Sequence, residues 1–384
     1  MEYNFEKNCN FTNDEAITIS LCLIVKNEET VLENCLNSIK NLVDEIIIVD
    51  TGSIDNTKSI AKKYTNKIYD FEWCNDFSKA RNYCFSFATK DYILWLDADD
   101  ILPSNHINAF KHLKLTLNKS IDAVSMIYSR MRNEKNETIF SLRRYRLVKR
   151  DKNFKWIGKV HEYLDVHGNT LVSDIEIHHK KEIPVANDRN LKIFLEMKNN
   201  NEIFTNRDIF YFANELFDNT RYKEAAEQYE LFLTKDDVWI EDKKSAYFNL
   251  YKCYYLLSKK DKILPLLFSS FIYDKPRADI CCGIANTFFE ENKFSEAIFW
   301  YKTALNCKPN KDNMGFNFRD FYTFIPAIQL CVCYCEIGDY EQAWYYNEIA
   351  SLSESSSDKT EHNKLYITKK LAELKLPIPC LQNI

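Results

Sequence analysis

The chain has 384 residues, a net charge of -5 and only 6 glycines. This length exceeds the size at which one hydrophobic core keeps growing, so we expect two domains. The slight acidic excess gives no electrostatic reason to bind nucleic acid, and no polybasic tract suggests a membrane surface. We therefore expect small or local partners.

The first 16 residues contain four acidic residues and no apolar stretch. We interpret them as an N-terminal extension, neither a signal peptide nor an anchor. No other run is long and apolar enough to span a bilayer. The 13 cysteines lack the paired loop spacings of a metal site, so we interpret them as reduced core thiols. These features predict a cytoplasmic protein with no transmembrane segment.

Residues 17–96 alternate between apolar runs and amphipathic stretches. Residues 17–25 and 45–49 are rich in β-branched residues, as expected for strands buried on both faces, and residues 30–40 between them carry a helical apolar stripe. A strand near 67–71, a helix at 77–88 and a strand at 92–96 continue the pattern. This alternation predicts a mostly parallel sheet.

The run at 92–96 ends in Asp97-Ala98-Asp99-Asp100. Carboxylates at the carboxyl end of a buried parallel strand lie where open α/β sheets bind ligands, and Asp97 and Asp99 can both face one hard cation. Neither G-x-G-x-x-G after the first strand nor G-x-x-x-x-G-K-[ST] occurs, which argues against dinucleotide-binding and P-loop folds. A diphosphate held without a glycine cradle needs a cation and a basic group, such as Arg81.

Four motifs in this order resemble family-two glycosyltransferases with the GT-A fold: residues 25–29, 50–57, 76–82 and 97–100. Trp156-Ile-Gly-Lys-Val-His-Glu162 resembles a narrower branch that includes lipopolysaccharide-core glucosyltransferases and SunS-like peptide S-glycosyltransferases. The resemblance covers roughly residues 17 to 180. It implies a GT-A-type, Rossmann-like α/β domain that transfers sugar with inversion from a nucleotide-sugar, taken here as a UDP-sugar.

The resemblance also implies roles for residues at the strand ends. Asp50 would accept from a nucleobase N–H, Asp97 would meet the ribose or the metal, and Asp99 would ligate a Mn²⁺ or Mg²⁺ that bridges the diphosphate. Arg81 and Asn82 would border the donor, although the same residues also fit a capped helix with a solvated Arg81. The full set of expected donor-binding residues is Val25, Asn27, Glu28, Asp50, Arg81, Asn82, Asp97 and Arg144.

Further candidates follow later in the chain. Because Arg matches phosphate bidentately, we expect Arg144 or Arg146 to meet the donor diphosphate, and we name Arg144 as the candidate; the alternative is a merely solvated run. Trp156 suits stacking on an acceptor sugar. Glu162 is the candidate base and His161 its partner, unless the two only fix a loop.

The pair His178-His179 follows a strand-like stretch at 170–177. We expect a late loop or strand end of this kind to fold back over the site. His178 is the candidate third metal ligand beside Asp97 and Asp99, and a hydrogen-bonded surface pair is the alternative. The catalytic domain is expected to occupy residues 17–187.

The sequence pattern predicts helices throughout residues 188–384. Residues 221–225, 293–297 and 339–343 resemble one another and resemble tetratricopeptide repeats, with a degenerate copy at 246–263. Such hairpins bury their apolar faces by stacking into a solenoid, which suits a peptide groove or a homodimer surface.

The leading hypothesis is a metal-dependent glycosyltransferase whose repeats hold a peptide or protein acceptor, through a Cys or a Ser/Thr side chain. One alternative keeps the chemistry but takes a glycan acceptor of cell-envelope type. Another is a repeat scaffold with an inactive transferase domain. The joint presence of Asp50, Arg81, Asp97, Asp99 and Glu162 argues against the scaffold.

Overall fold

A computed structural model of the chain describes residues 16–132, 138–180, 188–309, 314–353 and 358–379. The chain divides into two compact units. The first contains residues 1–128 and 143–183, and the second contains residues 129–142 and 184–384. The expected N-terminal extension lies outside the described residues, apart from Ala16.

The first unit alternates strands and helices as expected. Its elements, including the full length of the two strands shared with the second unit, are β1 (Ile19–Val25), α1 (Leu32–Ile39), β2 (Glu45–Asp50), α2 (Thr57–Ala61), β3 (Ile68–Asp70), α3 (Phe77–Phe85), β4 (Tyr92–Trp95), β5 (Asp100–Ile101), α4 (Ile107–Thr116), β6 (Ala123–Arg132), β7 (Thr138–Lys149), β8 (Trp156–Ile157), β9 (Tyr163–Leu164) and β10 (Thr170–His179). The predicted α/β order is confirmed.

The main sheet has the strand order β3-β2-β1-β4-β7-β6-β10-β5. The strands β3, β2, β1 and β4 are parallel to their neighbours. β7 pairs antiparallel with β4, and β5 pairs antiparallel with β10. The parallel part therefore holds the three strand ends that the sequence predicts to be functional.

The central strand β1 is buried on both faces, which explains its almost continuous apolar sequence. On one face Leu21 and Leu23 pack in a cluster that includes Leu36 of α1. On the other face Cys22 packs in a cluster that includes Cys84 of α3. Helices thus cover both faces of the sheet.

The second unit is mainly helical. Its further elements are α5 (Arg189–Asn199), α6 (Asn206–Asp218), α7 (Tyr222–Leu233), α8 (Ile240–Leu256), α9 (Lys260–Ser269), α10 (Ala278–Glu290), α11 (Phe294–Asn306), β11 (Asn317–Phe318), α12 (Phe324–Glu336), α13 (Tyr340–Ser351) and α14 (Asp358–Glu373). Helices that follow one another in the sequence pack together, with the most extensive contacts within the pairs α6–α7, α10–α11 and α12–α13.

The alanines of the three similar segments explain this packing. Ala225, Ala297 and Ala343 are each fully buried in the second helix of a pair. A small side chain at that position lets the paired helix approach closely. The predicted tetratricopeptide-like helical region is confirmed, and the degenerate copy corresponds to α8 and α9.

The segment 129–142 was not expected in the second unit. There Phe140 stacks on Phe318 with ring centroids 4.3 Å apart, and β11 pairs with β7 at this point. The sequence signals for β6 and β7 are ordinary strand signals, so nothing in them indicates this packing.

The described cysteines are free and most are buried, whereas Cys74 is exposed. Within the described ranges, no helix combines the length and the apolar character needed to cross a membrane.

Candidate active site

The ends of three parallel strands form the edge at which the candidate residues meet. Val25 at the end of β1 pairs with Asp50 at the end of β2, and β4 lies on the other side of β1. Asp97 follows β4 by two residues. Because these strands run in parallel, their following loops leave the sheet on the same side.

Asp50 is held by its own loop. Its Oδ1 accepts hydrogen bonds from the backbone N–H groups of Gly52 (2.9 Å) and Ser53 (2.8 Å). Its Oδ2 is buried, and no hydrogen-bond donor reaches it among the residues that the structure describes. A buried carboxylate oxygen with spare capacity at a strand end suits the N–H of a ligand.

Hydrogen bonds join the loops after β1 and β2. The backbone N–H of Asn27 donates to Ser53 Oγ (2.9 Å), and Asn27 Oδ1 accepts from the N–H of Ile54 (2.9 Å). Glu28 donates its N–H to Thr57 Oγ1 (2.8 Å), while the carbonyl of Val25 accepts from the N–H of Thr51. Val25, Asn27 and Glu28 therefore shape the rim beside Asp50.

Arg81 connects the candidate donor and catalytic residues. Its Nη2 lies 2.7 Å from Asp97 Oδ1, and its Nε lies 2.6 Å from Glu162 Oε1. The alternative of a solvated Arg81 is wrong, because the residue is 9% exposed. The capped helix itself is present, since Asp76 accepts from the N–H of Lys79 at the start of α3.

The electrostatics of this pair follow from the geometry. Burial by itself would raise the pKa of Asp97, but the charge and the hydrogen bond of Arg81 outweigh it and lower that pKa to about 2. For Arg81, burial opposes the charged form, yet Asp97 and Glu162 raise its pKa above the ordinary value. Arg81 thus links Asp97 and Glu162 in one hydrogen-bonded network.

Trp156 does not have the place expected for an acceptor site. It is 4% exposed, its ring packs edge-on against Trp95 with centroids 4.7 Å apart, and the guanidinium of Arg81 lies over it. A sugar needs an open ring face for stacking, so the assignment of Trp156 to the acceptor is wrong in this structure.

Asn82 does not face a donor either. Its Nδ2 donates to the carbonyl of Trp156 (2.9 Å), and its Oδ1 accepts from the N–H of Trp156 (3.0 Å). Both polar ends of the amide therefore hold β8 against α3. The donor-binding assignment of Asn82 is replaced by this structural role.

A second cluster lies beside the first. Asp99, Asp100 and His179 offer three ligand atoms within 4.8 Å of one another. His179 Nδ1 is 3.3 Å from Asp99 Oδ1 and 3.9 Å from Asp100 Oδ1. Carboxylate oxygens with one imidazole fit Mn²⁺ or Mg²⁺, and Asp100 Oδ1 is buried without a hydrogen-bond donor in the described part of the chain.

The predicted metal ligands need two corrections. His178 turns away from this cluster and pairs with Glu176 (3.0 Å), because neighbouring residues of a strand point to opposite faces. His179 takes its place, since it is the Cα partner of Asp100 in the β5–β10 pairing. Asp97 is engaged with Arg81 and lies outside the three-residue group.

Arg146 also enters the cluster. Its Nη1 lies 2.9 Å from Asp100 Oδ2, and the residue is fully buried. Arg144, which the sequence favoured, lies two residues earlier on β7 and is partly exposed. The alternation of β7 places both arginines on the same face, and they differ in burial.

His161 directly precedes Glu162 and has a backbone φ of 51°. This left-handed conformation is uncommon for a side chain other than glycine. It occurs at the turn between β8 and β9 that brings Glu162 to Arg81. The backbone conformation of His161 therefore helps to place Glu162 next to Arg81.

Comparison with known proteins shows what this part of the chain resembles. The sequence profile described as Glycosyl transferase family 2 matches residues 20–172. A TPR repeat-containing protein of Synechococcus elongatus is 36% identical over 147 residues, which are 38% of this chain and 35% of that protein. The SPbeta prophage-derived glycosyltransferase SunS of Bacillus subtilis is 29% identical over 199 residues, which are 49% of this chain and 46% of that protein. The chain thus spans between about a third and a half of the length of these relatives.

Among solved structures, glucosyl-3-phosphoglycerate synthase from Mycobacterium tuberculosis, in complex with Mn²⁺ and UDP-glucose, is 26% identical. The similarity covers 29% of this chain and 44% of that chain, with a TM-score of 0.26, which is too low to support any argument about the site. The range that the family profile matches contains Asp50, Arg81, Asp97, Asp99 and Glu162. Residues 20–172 are thus similar to glycosyl transferase family 2.

Proposed function

We propose that the protein is an inverting, metal-dependent glycosyltransferase that moves a sugar from a nucleotide-sugar, expected to be a UDP-sugar, to a peptide or protein side chain. One observation carries the proposal. The family match coincides with the buried Asp50 at the carboxyl end of β2 and with the ion pair of Arg81 and Asp97 just beyond β4, at the edge where an α/β sheet binds its ligand. The cytoplasmic location stays a prediction.

On the donor side, the free Oδ2 of Asp50 would accept the N–H of the nucleobase. The loops cross-linked through Asn27 and Ser53 would hold the nucleoside. Asp99, Asp100 and His179 would hold a divalent cation, which supplies charge neutralisation for the departing nucleoside diphosphate. Arg144 stays a candidate for a diphosphate oxygen.

On the acceptor side, Glu162 is the proposed base. Inversion requires a single displacement in which the acceptor loses its proton as it attacks the anomeric carbon. Arg81 fixes the carboxylate of Glu162 through Oε1, and the other oxygen, Oε2, would take the proton. The turn at His161 holds Glu162 in this orientation.

The helical unit supports the choice of acceptor. Stacked helix pairs offer an extended surface that suits a chain-like ligand better than a small glycan. The resemblance to SunS-like peptide transferases points the same way. Transfer to cell-envelope glycans is the competing outcome, and a homodimer through the helices stays a prediction.

The test is calorimetric titration of UDP into the protein with and without Mn²⁺, followed by transfer assays. We expect Asp99→Ala to abolish the metal-dependent heat and sugar transfer, because one carboxylate ligand is lost. Asp151→Ala, which removes an exposed carboxylate of the same unit, should behave as the wild type. Unchanged transfer in Asp99→Ala would refute the proposal. Intact-mass analysis of peptide and glycan acceptors separates the two acceptor classes.

A further inference from the structure

Arg146 is a fully buried guanidinium beside the candidate metal site. It stacks between two aromatic rings, with Cζ 3.9 Å from the centroid of Trp95 and 4.4 Å from that of Tyr128. Its charged partner is Asp100, which is also fully buried, at 2.9 Å. The family roles proposed above do not use this residue.

Its burial is costly. Nε and Nη2 of Arg146 are buried, and no hydrogen-bond acceptor reaches them among the described residues. A buried ion pair commonly stabilises a fold no better than apolar residues of the same shape. A structural account alone therefore gives little reason for an arginine here.

Arg146 acts on the metal-binding turn through Asp100. The Oδ2 of Asp100 that faces Arg146 also accepts the backbone N–H of Asp97 (3.0 Å). The backbone N–H of Asp100 in turn donates to the carbonyl of Asp97 (3.0 Å). The side chain of Asp100 thus closes the turn from Asp97 to Asp100, and Arg146 fixes that side chain.

The turn determines where its carboxylates point. Asp97 reaches Arg81, while Asp99 and the second oxygen of Asp100 face His179 Nδ1. Tyr128, which covers one face of Arg146, also places its hydroxyl 3.1 Å from His179 Nδ1. Both sides of the candidate metal site therefore depend on contacts with Arg146.

We propose that Arg146 is a positioning residue that holds Asp99, Asp100 and His179 in the arrangement that binds a divalent cation. This inference rests on the metal dependence in the proposed function. Direct contact with the donor diphosphate is the competing role, and the complete burial of Arg146 argues against it.

Coulomb's law and positioning predict opposite results. Removing a positive charge near a cation site should tighten Mn²⁺ binding if only charge matters. If Arg146 positions the ligands, Arg146→Met should weaken it by about tenfold or more, as loss of a supporting partner does at other metal sites. Mn²⁺ binding to the full chain without nucleotide is measured by electron paramagnetic resonance.

Arg143→Met is the matched control on the same strand. Arg143 instead donates to the carbonyl of Ser173 and forms an ion pair with Asp174.

Arg146→Lys keeps the test valid if the methionine variant does not fold. Its charge equals that of the wild type, so charge alone predicts unchanged affinity, whereas lysine loses the planar stack and should bind Mn²⁺ several-fold more weakly. Unchanged or tighter Mn²⁺ binding in either folded variant, or no Mn²⁺ binding by the wild type, overturns the proposal. Loss of metal-free UDP binding in Arg146→Met would instead favour direct diphosphate contact. Mn²⁺ binding that depends on Arg146 in a protein without sugar transfer would refute the proposed function and leave this inference standing.

Discussion

Arg81 shows how one side chain can organise a site. It joins α3 to the turn after β4 and to Glu162 after β8, which are distant in the sequence. Arginine suits this position because its planar fork presents donors in two directions, whereas lysine offers a single point charge. Because Arg81 lies within helix α3, its backbone is held in place, and its side chain positions both carboxylates.

Replacing Arg81 by methionine should destabilise the protein by about 3 kcal/mol, because two partly buried carboxylates lose their common partner. The free energy of unfolding from urea titration measures the effect. Lys79→Met, an exposed position two residues earlier in the same helix, should change it little. An equal loss in both variants would contradict the central role of Arg81.

Replacing Glu162 by glutamine tests the proposed base. We expect kcat to fall by about a hundredfold or more, since the acceptor proton has no nearby base. The Kd for UDP with Mn²⁺ should stay within twofold, because the nucleotide does not need this proton transfer. A fall in UDP affinity with an unchanged kcat would assign Glu162 to donor binding instead.

Glu45 plays a comparable part for the strands at the opposite end of the sheet. It begins β2 and accepts hydrogen bonds from Ser20 of β1, from Lys67 just before β3 and from Thr89 before β4. Burial alone would raise its pKa, but these donors outweigh burial and lower the pKa from 4.5 to about 2. One carboxylate thus connects four strands.

Because the folded pKa of Glu45 is the lower one, its stabilisation is complete above pH 4.5 and is lost as the pH falls towards 2. Glu45→Gln should cost about 2 kcal/mol at pH 7 and much less near pH 3. Urea unfolding at several pH values measures this difference. Glu72→Gln at an exposed site should show no such trend, and a constant difference for Glu45→Gln would reject the explanation.

In the helical unit, packing depends on small residues. Ala297 is fully buried in the same cluster as Ala285 and Tyr301. Ala297→Leu should destabilise this unit by about 1–3 kcal/mol through overpacking. Thermal unfolding measures it, with the exposed Ser295→Leu as control in the same helix. Equal midpoints for the two variants would show that the helices can separate without cost.

At the scale of the whole molecule, each of the two units is built from two separate segments of the chain. Residues 129–142 interrupt the first unit and belong to the second, where Phe140 stacks on Phe318. A division of the chain at the sequence-based boundary 187/188 would therefore leave residues 129–142 of the second unit attached to the first domain. The boundary at 187/188 stays a prediction, and expression of residues 1–187 without the rest of the chain tests it.

A fragment that ends at residue 187 should expose Phe140 and aggregate at a lower temperature than the full chain, because the ring loses its aromatic partners. Light scattering during heating measures this. The same fragment with Phe140→Ser should aggregate less. If the two fragments behave alike, the packing of Phe140 does not determine the stability of the hairpin.

The sequence by itself determined the order of the elements, since apolar runs of period two and stripes of helical period follow from local burial. It also placed Asp50, Asp97 and Asp99 at the sheet edge, because these polar residues lie at or just after the ends of buried strands. The three similar segments of the helical region each end in an alanine that the structure buries fully.

Only the tertiary structure decided which of two adjacent residues faces the site. His179 replaces His178 because the register of β5 against β10 fixes which side chain points inward. Trp156 and Asn82 pack against α3 rather than facing a ligand, and Arg146 is buried beside Asp100. Register and burial arise from contacts between segments far apart in the chain, so the local pattern of residues does not contain them.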